Sequence, residues 1–346
     1  MTNMRENIKI AIHPRTGSFS DRWIEYCKTN LMQYKTVNCY DSDIIEQVKG
    51  FDILLWHWVQ HDALAMSVAQ KIVGSAENMG VVVFPNKATF WHFDDKVAQK
   101  YLLEAINAPL VSSYVFYQKE KALEWAEQTT YPKVFKLKSG AGSANVRLVK
   151  SKEEAVGLCL KAFGPGIVSQ QGYFGDAKIK LRKIGTFPQF IDKLKRLPKY
   201  LLSSVIIQQQ MPRERGYIYF QDFMPGNQYD TRITVIGNRA FGYTRNVRPD
   251  DFRASGSGLI SYDLKRIDMQ CVSIAFDVAD KIRSQSMAFD FIKDENGKPK
   301  LVEISYGFIP KLVYDCAGHW DRDLNWREGH VHPEDAILED MLFKLK

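Results

Sequence analysis

"SMAFDFIKDENGKPKLVEIS", residues 286 to 305, sets two carboxylates, Asp290 and Glu303, in apolar runs on either side of Asn296-Gly297. Asn-Gly between β-rich runs is a strong hairpin signal, because a two-residue type I′ turn needs positive φ at both central positions. A tight turn there pairs residues whose numbers sum to 593, which puts Asp290 opposite Glu303. Counting outward from the turn makes them a non-hydrogen-bonded pair, the closer of the two antiparallel kinds. Phe289, Phe291, Val302 and Ile304 then form a core face, while Asp290, Glu303 and Ser305 share the other. Like charges opposed across a sheet repel, so something positive is expected between them. Magnesium suits the position, because it takes one or two protein carboxylates and completes its octahedron with water and phosphate oxygens. The alternative is that one carboxylate turns to solvent or pairs with a nearby lysine.

Working outward, the first hundred residues alternate β-like runs, "IKIAIH" (8–13), "KTVNCY" (35–40), "DILLWHWV" (52–59) and "GVVVFP" (80–85), with helical stretches near 20–31 and 62–79. This alternation predicts βαβ units on a parallel sheet. "NKATFWHFDDKVAQKYLLEAINAP" follows as one helix of about 15 residues stopped by Ala-Pro. "YPKVFKLKSGAGSANVRLVKSKEEAVGLCL" then reads as strand, glycine loop, strand and helix, with Ser151 and Glu154 as an S-x-x-E capping box. From 217 onward the pattern is largely antiparallel, interrupted by a helix near 269–283. The expected fold class is therefore α/β and α+β, multidomain, divided at 1–85, 86–204 and 205–346.

At 346 residues and 45% hydrophobic, the chain can bury a large core. No run of 18 apolar residues appears, and the N-terminus lacks a signal-peptide pattern, so a cytoplasmic protein is the expectation. Five scattered cysteines without a C-x-x-C pair suggest buried thiols rather than disulfides or zinc. Residues 161–215 hold eleven Lys and Arg against three acids, more than the whole net charge of +7. That segment is either a patch for an anionic ligand or a solvated helical face. Nucleic acid is the less favoured partner. His57 and His61 have i, i+4 spacing, but His57 ends a strand-like run, so a helical metal pair is not expected.

Lys136 lies on a strand just before the loop Ser139, Gly140, Ala141, Gly142, Ser143. Glycines let backbone N–H groups approach a phosphate and the serines add donors, although many glycine loops are simple hairpin connections. The loop matches neither G-x-x-x-x-G-K-[ST] nor a complete G-x-G-x-x-G.

Taken together, the lysine, the loop, the antiparallel block and the carboxylate hairpin resemble an ATP-grasp protein from about Asn86 to Ile309, with a βα (Rossmann-like) region preceding it. The resemblance implies ATP as the nucleotide and two magnesium ions, which manganese could replace. It assigns Lys96, Lys136, Ser139, Gly140, Gly142 and Ser143 to the phosphates. "YFQDFMPGNQYDTRITVIG" is similar to the adenine hinge, which implies Gln221, Asp222, Phe223 and Met224 at the base and Asp230 near the ribose. "DFRASGSG" points to Arg253 beside the transferred group, together with Arg232. Asp290, Glu303 and Ser305 take the metal-ligand places, Ser305 standing where that family usually has Asn. What the resemblance implies chemically is a carboxylate–amine ligase acting on a small-molecule acid and amine. The stretch from Phe252 to Glu334 is similar to members found in bacterial surface-polysaccharide biosynthesis, which suggests a nucleotide- or lipid-linked acidic sugar. A homodimer is compatible with this reading. A phosphotransferase on a hydroxyl and a non-catalytic nucleotide-binding protein are the alternatives.

Overall fold

The computed structural model describes residues 7–140, 145–169, 213–249 and 251–345. Two compact units result, Met1–Phe93 with Tyr101–Leu110 and Pro225–Lys346, and Asp94–Lys100 with Val111–Met224. Both differ from the three expected segments, because the first and last thirds of the chain share one unit. No helix among the described residues is long and apolar enough to cross a membrane.

The larger unit opens with strands β1 (Lys9–Ile12), β2 (Gln33–Thr36), β3 (Ile53–Leu55) and β4 (Val82–Phe84). They form a parallel sheet in the order β2-β1-β3-β4, with Ile10, Ile12, Ile53 and Leu55 buried. β3 stops at Leu55, short of the expected end at Val59, and β2 begins earlier and ends at Thr36 rather than Tyr40.

The smaller unit is built on β5 (Ser113–Phe116), β6 (Lys133–Lys136), β7 (Val146–Val149) and β10 (Ile218–Asp222), antiparallel in the order β5-β10-β6-β7. Two short strands, β8 (Ile167–Val168) and β9 (Arg213–Glu214), pair separately. One sheet face, with Phe135, Ile218 and Phe220, packs on helices Lys119–Gln128 and Lys152–Ala162, where Trp125 stacks on Phe220 at 4.9 Å. Alternation sends Ser113, Lys136, Tyr219 and Gln221 to the opposite face. The helix Lys152–Ala162 starts as expected, with Ser151 Oγ accepting from Glu154 N at 3.4 Å.

The second sheet of the larger unit contains β11 (Tyr229–Ile236), β12 (Arg239–Asn246), β13 (Ile260–Ser261), β14 (Ser286–Lys293), β15 (Pro299–Ser305), β16 (Gly318–Trp320) and β17 (Trp326–Glu328). Its path is β15-β14-β11-β12-β16-β17, with β13 beside β12. The helix Met269–Ile282 buries Val272, Ala275, Phe276 and Ala279, the i, i+3, i+4, i+7 stripe of an amphipathic helix on a core. Phe289 and Phe291 are fully buried, each contributing about 1.5–3 kcal/mol of hydrophobic stabilisation. All five cysteines are free and buried.

Two expectations are corrected. The single helix foreseen after Asn86 is two, Lys87–Phe90 and Lys96–Ala105. Asp94 between them has φ +54, and Asp95 Oδ1 accepts from the N–H groups of Val97 and Ala98, starting a second helix. The hairpin turn is not type I′, because Gly297 (φ +75) has positive φ but Asn296 does not. Gly297 N donates to Asp294 O and Asp294 N to Lys298 O, a three-residue loop with glycine at its left-handed position. Pairs near the turn sum to 592, Phe291 facing Leu301, and a bulge restores Asp290 opposite Glu303. Leu301 is thereby fully buried, and Val302, expected in the core, is only half-buried.

Candidate active site

In the smaller unit the polar face of the sheet is buried. Lys136 Nζ donates to Gln221 Oε1 at 2.6 Å, and Gln221 Nε2 donates to Ser113 Oγ at 3.1 Å. Tyr219 OH bonds the same serine hydroxyl at 2.9 Å. Lys136 and Gln221 are thus held rigidly, and both stand on regular strands. On the other face Lys133 Nζ pairs with Asp222 at 2.6 Å and lies over the Tyr114 ring. Lys133 was not singled out in the sequence, although a lysine three residues before Lys136 falls on the opposite strand face by period-two alternation. Phe223 and Met224 follow β10 and are half-buried.

The base of the glycine loop is clamped by local contacts. Lys96 Nζ donates to Gly140 O at 2.9 Å, Lys96 N donates to Lys138 O, and Gly140 N donates to Asp94 Oδ1 at 2.9 Å. Glu214 accepts from both Ser139 Oγ and Tyr217 OH, and burial, then Glu214, pushes the Tyr217 hydroxyl up above its usual range. Gly140 has φ +112, where a side chain would strike Asn145. Lys96, Ser139 and Gly140 are therefore gathered in one place, while Gly142 and Ser143 lie outside the described residues.

In the larger unit the expected residues form a charged row across three strands. β11 and β14 pair Arg232 with Asp290, β14 and β15 pair Asp290 with Glu303, and β11 and β12 pair Asp230 with Arg245. Arg232 grips Asp290 with Nε and Nη2 at 2.6 and 2.7 Å, and Arg245 Nη2 reaches the same carboxylate at 2.8 Å. Arg245 also holds Asp230 with two bonds of 2.7 and 2.6 Å. The positive charge expected beside Asp290 is supplied here by two guanidinium groups. Burial alone would raise the Asp290 carboxyl, but Arg232 and then Arg245 overcome it and hold it below the usual range. Asp230 has Arg245 as its forked partner, and there burial prevails and raises it.

Arg245 went unnoticed in the sequence because its partners come from two other strands, and only the strand order shows them converging. Asp230, expected near a ribose, has both carboxylate oxygens in the Arg245 fork. Arg253 is half-buried, with Nε and Nη2 on Asp251 at 2.9 and 2.7 Å. Ser305 Oγ bonds Gly307 N and O, both at 3.1 Å. By donor type the opposed carboxylates Asp290 and Glu303 suit a hard, oxygen-seeking cation, although both Asp290 oxygens are engaged here by Arg232 and Arg245. Ser305, turned to Gly307, does not extend that set. Among the described residues no group of three or more His, Cys, Asp or Glu side chains is arranged to hold a metal.

No family model matches the sequence, and no curated protein matches it. Solved structures do match in shape. Over 97% of its length the chain is similar to an ATP-grasp RimK domain protein from Sphaerobacter thermophilus, with 14% identity, 99% of that chain covered and TM-score 0.53. A D-alanine–D-alanine ligase from Bacillus anthracis gives 13% identity, 98% coverage of that chain and TM-score 0.56 over the same share of this one. For a biotin carboxylase from Campylobacter jejuni the values are 13%, 71% of that chain and 0.59, again over 97% of this chain. The fold is that of the ATP-grasp proteins.

Proposed function

We propose that the chain is an ATP-dependent carboxylate–amine ligase. The observation that carries this reading is the row Arg232–Asp290–Glu303, a guanidinium beside two opposed acids, in a chain of ATP-grasp fold. Lys96, Lys136 and the loop 139–143 bind the phosphates, and Gln221 with residues 222–224 meets the base. Asp230 fixes Arg245 rather than a ribose. Asp290 and Glu303 hold magnesium, which when bound neutralises phosphate charge and aligns the γ-phosphoryl group. Arg232 and Arg253 stabilise charge on the group in transit, and the loop excludes water.

In this reading a substrate carboxylate oxygen attacks the γ-phosphorus and the bond to ADP breaks, leaving an acylphosphate. The amine nitrogen then attacks the carbonyl carbon, phosphate departs, and the nitrogen gives up a proton. ADP and phosphate should appear only when an acid and an amine are both supplied. ATP consumption yielding a stable phosphorylated product would favour the phosphotransferase alternative and reject the ligase. Resemblance to polysaccharide-biosynthesis members and the basic 161–215 segment support an acidic sugar as the acid. A panel of uronic acids and their activated forms, each with a set of amines, tests this by ADP release. The Ser305 contacts with Gly307 favour, as the second reading, a nucleotide-binding protein without turnover, which would bind ATP yet release no ADP with any substrate pair.

A further inference from the structure

The loop that the proposed reading gives to the phosphates has donors already taken by acids of the chain itself. Lys138 N donates to Glu214 Oε2 at 3.2 Å, Ser139 Oγ donates to Glu214 Oε1, and Gly140 N donates to Asp94 Oδ1 at 2.9 Å. Tyr217 completes the arrangement. Its oxygen accepts from Lys138 N at 2.7 Å, and its hydroxyl donates to Glu214 Oε2. One carboxylate thus collects a backbone N–H and two hydroxyls, the donor types that a glycine loop offers to a phosphate oxygen.

The two acids are not held alike. Asp94 lies next to the start of helix Lys96–Ala105, and Lys96 Nζ returns to Gly140 O at 2.9 Å, so this acid belongs to the clamp at the base of the loop. Glu214 ends β9, a two-residue strand that among the described residues pairs only with the two-residue β8. A ribbon of two such strands is marginal in water, whereas Lys136 and Gln221 stand on a four-stranded sheet. Glu214, Ser139 and Tyr217 are all half-buried, so their contact is open to a solute rather than sealed in a core.

Ser139 has one hydroxyl proton and cannot give it to Glu214 and to a phosphate at once. A carboxylate and a phosphate oxygen are acceptors of the same ionised kind, and the acid's charge repels a triphosphate as well.

We propose that Glu214 is an internal competitor for the phosphates of the nucleotide. Its carboxylate occupies Lys138 N and Ser139 Oγ and has to leave before a phosphate takes them. This role rests on the nucleotide reading above and adds to it a residue that sets affinity by resisting binding.

Binding of MgATP to the full-length chain, with no acid or amine substrate present, is measured by calorimetry for the parent, Glu214→Gln, Ser139→Ala and the double variant. A neutral amide accepts more weakly and repels no phosphate, so Glu214→Gln should bind MgATP about tenfold more tightly. Ser139→Ala should then cost about fivefold more in the Glu214→Gln background than in the parent, because only there is the hydroxyl released beforehand. A Glu214 that props the loop in place for the nucleotide would give weaker binding in Glu214→Gln and the opposite coupling, and either result overturns the proposal. Tightening that merely adds to the Ser139→Ala effect reports lost charge alone and overturns it too. Trp125 fluorescence in a urea titration checks that each variant folds, and Glu214→Ala should tighten binding in the same direction as Glu214→Gln. Failure of both Glu214 variants to fold would make the residue structural and end the proposal. Absence of MgATP binding in the parent and every variant removes the nucleotide reading together with this role, whereas binding without tightening removes the role alone.

Discussion

Asp290 accepts three hydrogen bonds from two guanidinium groups, and this sets what its removal must do. Asp290→Asn leaves Arg232 and Arg245 close together with half their counter-charge gone. Breaking one side of a buried ion pair costs about 3–5 kcal/mol, which urea unfolding of the variant should read directly. Because the folded carboxyl is held below its ordinary value, its contribution is complete at neutral pH. It fades only below about pH 4, where the unfolded chain takes up the proton first. Stability of the parent chain should therefore fall more steeply than that of Asp290→Asn between pH 4 and pH 2. Glu334 gives the opposite sign. Burial raises its carboxyl to about 7, and Oε2 has no hydrogen-bond partner among the described residues. A raised acid is protonated in the folded chain while the unfolded chain has already ionised. Its stabilising effect is thus full below about pH 4.5 and lost as pH rises to 7. Glu334→Gln should remove that loss, making the variant more stable than the parent at pH 8 by about 2–3 kcal/mol and little different at pH 4. The opposition of Asp290 and Glu303 was legible from sequence because one hairpin carries both. Arg245 was not, since nothing local ties residue 245 to residue 290.

The hairpin β14–β15 shows how an element can be right in its key pair and wrong in its turn. Asn-Gly suggests two positive φ values, but Asp294 Oδ1 accepts from the N–H groups of Asn296 and Lys298. That carboxylate satisfies the loop backbone in the longer form, and only Gly297 goes left-handed. The extra loop residue shifts the register by one, and the bulge at Val302 cancels the shift before Glu303. Two local irregularities compensate, and period-two counting can see neither. Gly297→Ala meets no steric obstacle, so its cost is the left-handed backbone alone, about 1–2 kcal/mol in a urea titration. Asn296→Ala, at negative φ, should cost well under that. A type I′ turn would instead make both substitutions costly. The split after Asn86 has the same origin, since the helical pattern runs through Asp94 and Asp95, but Asp95 caps a fresh start. Carboxylates bonding their own backbone compete with regular structure, and periodicity does not register that competition.

At the scale of the whole chain, the two units are unequal in what holds them. Among the described residues the smaller has a core of eleven buried side chains, four of them alanine, while the larger buries Trp23, Trp56, Trp58, Tyr243 and Tyr306 among many aliphatic groups. Less apolar area removed from water means less hydrophobic stabilisation, so the smaller unit should unfold at lower urea. Nature provides a clean probe, because Trp125 is the single tryptophan of that unit and stacks on Phe220. Its fluorescence should report the earlier of two transitions, and Trp125→Phe should abolish that signal while leaving the later one in place. On the proposed reading Lys96 and Lys136 take the nucleotide phosphates. MgATP at about a hundred times its Kd should then stabilise the Trp125 transition by roughly 2.7 kcal/mol. Lys136→Met removes a buried phosphate donor yet leaves the Trp125 stack on the other face of the sheet intact. Its Trp125 transition should move to somewhat lower urea, because buried Gln221 Oε1 loses its donor, and should respond little to MgATP. A Trp125 transition equally responsive in Lys136→Met would mean that the nucleotide does not use this lysine. One that never responds in the parent chain would remove the smaller unit from nucleotide binding altogether.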